Sequence, residues 1–188
     1  YLDPSPAMVK VREQFQSHVA TLLRLGGLAG SDAEARAAAV VALETRIAQA
    51  HWTREDSGDV KKGNNPWRRG DFATKAPGLD WEAYFAAAGL GTTQDFVVWQ
   101  PSAFTGLAAL VNDVPLETWK DYLRVHALQD HAAVLPKRIS DQAFAFFDQT
   151  LRGVPMQQKR WKLAVAATNE ALGEVIGRAY VAKHFPAS

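Results

Sequence analysis

A thirty-residue stretch near the end of the chain most strongly constrains the fold. In residues 157–186, mainly apolar side chains recur at steps of three or four, the spacing of one α-helix face: Trp161, Val165, Thr168, Leu172, Val175 and Ala179. A helix of this length gains most of its stability by packing that face against something else. The pattern therefore predicts a long amphipathic helix whose apolar face is buried.

Two glycines interrupt this helix one turn apart. Gly173 and Gly177 each cost about 1 kcal/mol of helix stability relative to alanine. Such a cost suggests that another backbone passes close to the helix at this point. We therefore expect leucine at either position to overpack this contact and destabilise the fold.

Composition limits the class of protein. The chain has 188 residues, of which 47% are apolar and 22% charged, so it is long enough for one globular domain with a sizeable core. Its 21 basic and 20 acidic residues give a net charge of +1, without the basic excess typical of nucleic-acid binders. We therefore expect no nucleic-acid partner. The absence of cysteine excludes disulfides, thiol catalysis and cysteine-based zinc sites.

The termini show no targeting or membrane signal. No run of about 18 apolar residues is present, so no membrane-spanning segment is predicted. Residues 1–14 lack the basic and then apolar pattern of a signal peptide. The first residue is Tyr1 rather than methionine, which fits a processed or excised fragment.

Periodicity predicts an all-α fold of six or seven helices in a single domain, residues 1–188. The first helix is expected over Pro6–Leu25 and the second from Ser31 to about Trp52, with Ser31 and Glu34 forming a capping box. The remaining helices are expected over Trp81–Ala88, Ser102–Val111, Pro115–Val134, Ser140–Leu151 and Gln158–Lys183. The run from Phe96 to Trp99 resembles a short strand.

Between residues 53 and 79 the helical periodicity stops. The stretch is rich in Gly, Asn, Asp and Lys and holds Pro66 and Pro77. It is long for a loop in a compact domain, so it is functional, locally structured or mobile. We expect it to be the most mobile part of the chain, or to be ordered only by a partner, with tryptic cleavage first at Lys61, Lys62, Arg68 or Arg69.

The histidines form no metal site that the sequence can identify. His126 and His131 are five residues apart, or about 140° around a helix, so they cannot bind one ion from the same face. No His-Glu-x-x-His string occurs. His51, beside Trp52 at a helix end, could contact a ligand, although a favourable interaction with the helix dipole explains it better.

The other candidate groups also favour structural roles. Glu13 and Glu44 have no histidine or second carboxylate at catalytic spacing, so surface roles are expected. Lys61-Lys62 and Arg68-Arg69 could bind an anion or nucleic acid, but nearby aspartates favour a solvated loop. Arg69-Gly70-Asp71 spells an adhesion tripeptide, which has a high false-positive rate. We therefore assign no catalytic, cofactor-binding or metal residue.

Tryptophans are placed mainly in the core. Trp81, Trp119 and Trp161 fall on apolar helix faces and are expected to be core residues. Trp67 and Trp99 could line a pocket, but they more simply pack the 53–79 segment onto the helices.

Six segments, in order, resemble the neprilysin-like zinc metallopeptidases, especially the bacterial members. They follow one another in the family's order between residues 43 and 185. One departure is Gly58-Asp59, where the family has Arg-Asp. The segments are LETRIAQAHWTRED (Leu43–Asp56), Asn65-Pro66, APGLDWEAYFAAAGL (Ala76–Leu90), PLETWKDYLRVHAL (Pro115–Leu128), FAFFDQTLRGVPMQQKRWK (Phe144–Lys162) and LGEVIGRAYVAKHF (Leu172–Phe185).

This resemblance implies the N-terminal, non-catalytic region of a zinc metalloendopeptidase that hydrolyses oligopeptides. The family's zinc ligands belong to a C-terminal catalytic lobe that this chain does not contain, so zinc is expected in the parent enzyme but not here. The chain would then be the helical lobe that caps the substrate cavity, and its location would be extracytoplasmic. The alternative is a freestanding helical interaction module with no peptidase role. The parent reading frame separates the two.

Overall fold

The protein is described here by a computed structural model, which covers residues 1–28 and 32–185. Its residues fall into two compact units, Tyr1–Gln129 and Asp130–Ser188. Helices dominate both units, and a single pair of three-residue strands is present in the described residues. This architecture confirms the predicted all-α class. The prediction of one domain over 1–188 stays a prediction, and each unit is described on its own.

The first unit begins with two long helices and continues through a series of short elements to two further long helices. Its elements, in chain order, are α1 (Pro6–Leu25), α2 (Ala33–Ala50), α3 (Arg54–Gly58), α4 (Val60–Gly63), β1 (Pro66–Arg68), α5 (Asp71–Lys75), α6 (Trp81–Ala87), β2 (Asp95–Val97), α7 (Pro101–Asp113) and α8 (Leu116–Asp130).

The second unit contains α9 (Lys137–Ala143), a π-helical stretch (Phe144–Thr150) and α10 (Arg160–His184). The described residues thus hold ten α-helices, more than the six or seven expected. The excess arises mainly because α3, α4 and α5 are each only one turn or so long, too short to show apolar periodicity.

A core forms where α1 packs against α2. The bounds of α1 agree with the prediction, and Phe15, Val19 and Leu22 of its apolar stripe are buried. Met8, at the start of that stripe, is 39% exposed. Helix α2 contributes the buried side chains of Val40 and Leu43 to this core. The predicted capping box lies outside the described residues, because it rests on Ser31.

The segment 53–79, predicted as one long irregular loop, is locally structured. Thr53 caps α3 by accepting a hydrogen bond from the Asp56 amide at 3.1 Å, and Asp59 caps α4 by accepting from the Lys61 amide at 2.8 Å. Strand β1 then pairs antiparallel with β2, with Trp67 opposite Phe96. The missed helices and strand were hidden because each is set by a cap or a distant strand rather than by periodicity.

This segment also supplies part of a second hydrophobic core. Trp67 is 7% exposed and Phe72 2% exposed, and they pack with Trp81 and Phe85 of α6. The Phe72 ring lies 4.9 Å from that of Trp67, 5.0 Å from that of Trp81 and 5.1 Å from that of Phe85. The segment is therefore locally structured rather than one irregular loop, because burial of its aromatic residues offsets the conformational entropy lost in ordering its polar ones.

Close approach in the first unit depends on glycines other than the two singled out in the sequence. A Cβ placed on Gly106 of α7 would lie 2.4 Å from the Cβ of Ala50, where α7 packs against α2. A Cβ on Gly63 would lie 2.6 Å from the ring of Trp99. Both positions therefore need glycine because another residue occupies the space of a side chain.

In the second unit, the long helix α10 is present as predicted, but its apolar face is not buried. None of its residues is buried, and Trp161 and Val175 are 62% and 63% exposed. A Cβ on Gly173 or Gly177 would meet no described atom within 4 Å. The predicted close approach at these glycines is therefore wrong for this chain. The backbone also departs from helical geometry at Leu172, with φ −123° and ψ 21°.

The remaining helices of this unit are short. The predicted helix Ser140–Leu151 is resolved into α9 and the π-helical stretch, with Ile139 and Phe146 buried. Among residues 1–28 and 32–185, no helix is both long and apolar enough to cross a membrane.

Candidate functional site

A groove in the first unit is lined by Glu44 and His126, a titratable pair that joins two long helices. It has a volume of about 400 Å³ and lies between α2, α8 and the segment before α1. Helix α2 contributes Glu44, Ile47, Ala48 and His51 because these positions recur at steps of three or four. Helix α8 contributes Tyr122 and His126 for the same reason, and Tyr1 completes the lining.

Glu44 and His126 are in hydrogen-bond contact, and both line this groove. The Nε2 atom of His126 lies 3.1 Å from Oε1 of Glu44, and the Glu44 side chain is 8% exposed. In the tautomer with hydrogen on Nε2, the imidazole donates to the carboxylate. Burial raises the pKa of Glu44, and His126 opposes this shift. The expected surface role of Glu44 is therefore wrong.

Tyr122 lies one turn before His126 on α8, and the two ring centroids are 4.2 Å apart. Burial raises the pKa of Tyr122, and the charge of Glu44 raises it further. The side chains of Tyr122 and His126 thus form an aromatic wall above a buried carboxylate.

A second buried carboxylate of α8 is fully engaged by arginines. Asp121 is 2% exposed and accepts hydrogen bonds from Nε and Nη2 of Arg36 at 2.5 Å and 2.7 Å. Arg124 donates to the same carboxylate at 3.1 Å. This bidentate contact joins α2 to α8, so its role is structural.

The other histidines do not meet in one site. His51 ends α2 and lines the groove, in agreement with its predicted place at a helix end. His131 lies beyond α8 and is exposed. His18 is 2% exposed, with its Nε2 atom 3.2 Å from Nε2 of Gln129, and the ring of His184 is 4.5 Å from that of Tyr180.

Two of the four cations in the cluster of the 53–79 segment form ion pairs within the chain. Lys62 forms an ion pair with Asp56 at 2.6 Å and lies 4.9 Å from the ring centroid of Trp52. Arg69 forms an ion pair with Glu82 at 2.6 Å. These contacts give Lys62 and Arg69 structural roles, and Arg69, whose side chain is 14% exposed, is less solvated than predicted.

The Arg69-Gly70-Asp71 tripeptide is a structural turn. The Arg69 side chain is only 14% exposed, and its Nη1 atom donates to the Leu90 carbonyl at 2.9 Å. The Asp71 carboxylate accepts from the Arg68 amide at 2.8 Å and from Lys75 at 3.0 Å. These two hydrogen bonds, the backbone one foremost, lower the pKa of Asp71. Both charged side chains of the tripeptide are thus used inside the fold.

The tryptophans divide differently from the prediction. Trp81 is buried and its Nε1 donates to the Ala76 carbonyl at 2.7 Å, which confirms its place in the core. Trp67 packs the segment onto the helices, as expected. Trp119 is half-buried, and its Nε1 has no hydrogen-bond partner in the described part of the chain. Trp161 is exposed, so its assignment to the core is wrong.

The donor set does not fit a zinc site. Residues 1–28 and 32–185 contain no group of three or more His, Asp or Glu side chains that could hold a metal ion. Glu44 and His126 supply two ligands, whereas protein zinc sites use at least three. We therefore derive no chemical step through zinc for these residues.

Sequence reasoning missed the contact between Glu44 and His126 because the two residues are 82 positions apart. Helical spacing relates residues within one element and carries no information about which faces of two helices meet. Each residue does lie in a segment that resembles the neprilysin-like peptidases, and that was the available signal.

Comparison with known proteins matches this fold to one family. The model of the N-terminal region of peptidase family M13 matches residues 1–188. The zinc metalloprotease Zmp1 of Mycobacterium tuberculosis in its open state is 29% identical, with a TM-score of 0.87 over 97% of this chain. Zmp1 in complex with an inhibitor is 28% identical, with a TM-score of 0.86 over 97% of the chain.

A third structure, the partial open state of Zmp1, is 29% identical and matches 94% of this chain with a TM-score of 0.75. The chain spans only 28% to 29% of the length of these Zmp1 chains. These matches confirm the resemblance found in the sequence. The chain therefore belongs to peptidase family M13 and corresponds to the N-terminal region of that family.

Proposed function

We propose that this chain is a helical, non-catalytic part of a zinc-dependent metalloendopeptidase that hydrolyses oligopeptides. The observation that carries the proposal is the family match over residues 1–188, together with the TM-score of 0.87 to a zinc metalloprotease. Because the chain covers 29% of that relative, most of the relative's length has no counterpart here. We assign the zinc and the catalytic groups to that remaining part.

The charged groups of the described residues support a non-catalytic role for this chain, because they form contacts between its structural elements. Arg36 and Asp121 join α2 to α8, Arg69 and Glu82 fasten the turn before α5, and Glu44 contacts His126. Each of these contacts holds elements of the first unit together. A peptidase centre would instead need several such groups to converge on one reacting atom.

Within the parent enzyme, we assign the chain to the helical wall that caps the substrate cavity and limits access to small peptides. The apolar face of α10 supports a role beside another part of the protein. Exposed apolar patches of this kind commonly mark interaction surfaces, and this face carries Trp161, Val165, Leu172, Val175 and Ile176. The partner in this proposal is the catalytic lobe of the same polypeptide.

The proposal also includes an extracytoplasmic location and a bacterial parent. Its support is the resemblance to the bacterial members of the family, since a chain without cysteine suits either compartment. Fractionation of cells that express the parent protein, followed by detection of this region, tests the location.

Peptide hydrolysis by the chain and by its parent tests the division of roles. With an internally quenched peptide, the full-length parent should show activity that a zinc chelator abolishes, while residues 1–188 alone should show none. Hydrolysis by the isolated chain would overturn the non-catalytic assignment. An inactive parent would overturn the peptidase assignment.

A matched pair of variants of the parent tests the docking of α10. Val175→Lys places a charge on the apolar face, whereas Glu174→Lys changes an exposed charge next to it. We expect only Val175→Lys to lower the peptidase activity. The same substitution in residues 1–188 should leave the thermal midpoint unchanged, because Val175 is 63% exposed there. Equal activity of the two parent variants would contradict docking through this face.

A further inference from the structure

The groove between α2 and α8 combines properties that the proposed function does not use. Its volume of about 400 Å³ falls in the range of small-molecule sites. Its lining is mainly apolar and aromatic, through Ile47, Ala48, Tyr1 and Tyr122. Glu44 is the only acidic residue that lines it. An apolar cavity with one charged group at its base is typical of sites that orient a ligand through that group.

The carboxylate of Glu44 is incompletely compensated. It is 7% exposed, and His126 is the partner that the structure gives it, at 3.1 Å. His126 supplies one hydrogen-bond contact through Nε2, and the residues that line the groove include no lysine or arginine. By contrast, the buried Asp121 of α8 receives three hydrogen bonds from two arginines. A buried carboxylate without a cation is costly, so a cation that enters the groove would gain from it.

The aromatic groups beside Glu44 suit the rest of such a ligand. The ring of Tyr122 stands next to that of His126, with centroids 4.2 Å apart, and Tyr1 forms another part of the wall. Aromatic faces attract organic cations and pack against apolar bodies. The groups that line the groove thus complement a molecule with one positive end and one apolar end.

We propose that this groove binds an organic ammonium ion that carries an apolar or aromatic body, with its charged nitrogen at Glu44. In this proposal the body of the ligand packs along Ile47, Ala48 and Tyr122, which line the groove. Two sources share this chemistry: a free aromatic amine and the lysine side chain of a peptide. The proposal does not depend on peptidase activity, so it can fail while the proposed function stands.

Binding of matched probes to residues 1–188 tests the proposal. We compare 2-phenylethylammonium with 2-phenylethanol, which has the same body without the charge, and use Nα-acetyl-lysine amide for the peptide source. Dissociation constants are measured by NMR titration at about pH 8, where a glutamate is ionised and a histidine is neutral. We expect the ammonium probe to bind at least about tenfold more tightly than the alcohol, as one charge-assisted hydrogen bond predicts.

Three variants locate the site. Glu44→Gln keeps the shape and removes the charge, so it should abolish the preference for the ammonium probe. Ala48→Phe fills the groove and should weaken binding of both probes. Glu13→Gln removes an exposed carboxylate on α1 and should leave binding unchanged. Circular dichroism melts establish that each variant is folded.

The outcomes separate clearly. Tighter binding of 2-phenylethylammonium points to free aromatic amines, and tighter binding of the lysine derivative points to peptide side chains. Equal affinity for the ammonium and the alcohol, no binding of either ammonium probe, or a preference that survives Glu44→Gln in the folded variant would overturn the proposal.

Discussion

At the scale of single residues, Glu44 shows how burial changes the role of a common side chain. Burial raises its pKa, so near neutral pH the folded protein holds this carboxylate in a less favourable state than the unfolded chain does. The folded state therefore retains the proton to higher pH than the unfolded state. This contribution lowers the free energy of unfolding as pH rises from the unfolded pKa, about 4.3, to the folded pKa.

Replacement of Glu44 by glutamine should remove this pH dependence. The free energy of unfolding is measured by urea denaturation for Glu44→Gln and for the parent. The value for the variant minus that for the parent should increase as pH rises above about 4.3. The gain should level off once Glu44 is fully ionised in the folded protein. Glu13→Gln is the control and should follow the parent. A stability difference between Glu44→Gln and the parent that is constant across this range would contradict the effect of burial.

Gly177 provides a second test at this scale. A Cβ at this position meets no described atom within 4 Å, and Gly177 lies inside α10. Gly177→Ala should therefore raise the free energy of unfolding by about 1 kcal/mol, through helix propensity alone. Denaturant unfolding measures the change, with the exposed Ala179→Gly as the reverse substitution and an expected loss of similar size. A destabilised Gly177→Ala would restore the idea of a close backbone contact.

At the scale of elements, the segment 53–79 is held by its aromatic residues. Phe72 of α5 contacts the rings of Trp67, Trp81, Phe85, Phe96 and Phe104, with centroids 4.9 Å to 6.1 Å apart. Phe72→Ala should lower the free energy of unfolding by about 3–5 kcal/mol, because it leaves a cavity among these rings. Val60→Ala, at a site that is 68% exposed, should change it by less than about 0.5 kcal/mol. Similar effects of the two substitutions would mean that the cluster does not hold the segment.

Proteolysis distinguishes this packed segment from a mobile one. Arg69 is held by Glu82 and by the Leu90 carbonyl, whereas residues 153–159, between the π-helical stretch and α10, have no regular secondary structure. We now expect trypsin to cut at Arg152, Lys159 or Arg160 before it cuts at Arg69. Mass spectrometry of the early fragments gives the order. Early cleavage at Arg69 would instead support the prediction from the sequence that the segment 53–79 is mobile.

At the scale of the whole molecule, the absence of a fitting donor set makes metal content a direct test. The zinc centre is assigned to the part of the parent enzyme that this chain does not cover. Residues 1–188, purified in the presence of zinc, should hold less than one tightly bound ion per chain by elemental analysis. The value for His126→Ala should equal that of the parent chain. One retained zinc per chain that is lost in His126→Ala would place a metal site in this region.

The sequence alone was enough to establish the helical class, the bounds of α1 and the family. Helix periodicity and capping are local properties, readable within a few turns. The family follows from the order of six segments along the chain, which also needs no coordinates. The prediction of a long helix at the position of α10 was likewise correct.

Tertiary structure decided which faces are covered and which distant residues meet. The apolar stripe of α10 has the same spacing as that of α1, yet in the part of the chain that the structure describes the stripe of α1 is largely buried and that of α10 is exposed. The spacing of apolar residues does not specify which surface a helix face packs against. The pair of Glu44 and His126, and the cluster around Phe72, likewise depend on helices and strands from distant parts of the sequence. Local patterns specify an element and its apolar face, whereas packing against particular neighbours determines what that face contacts.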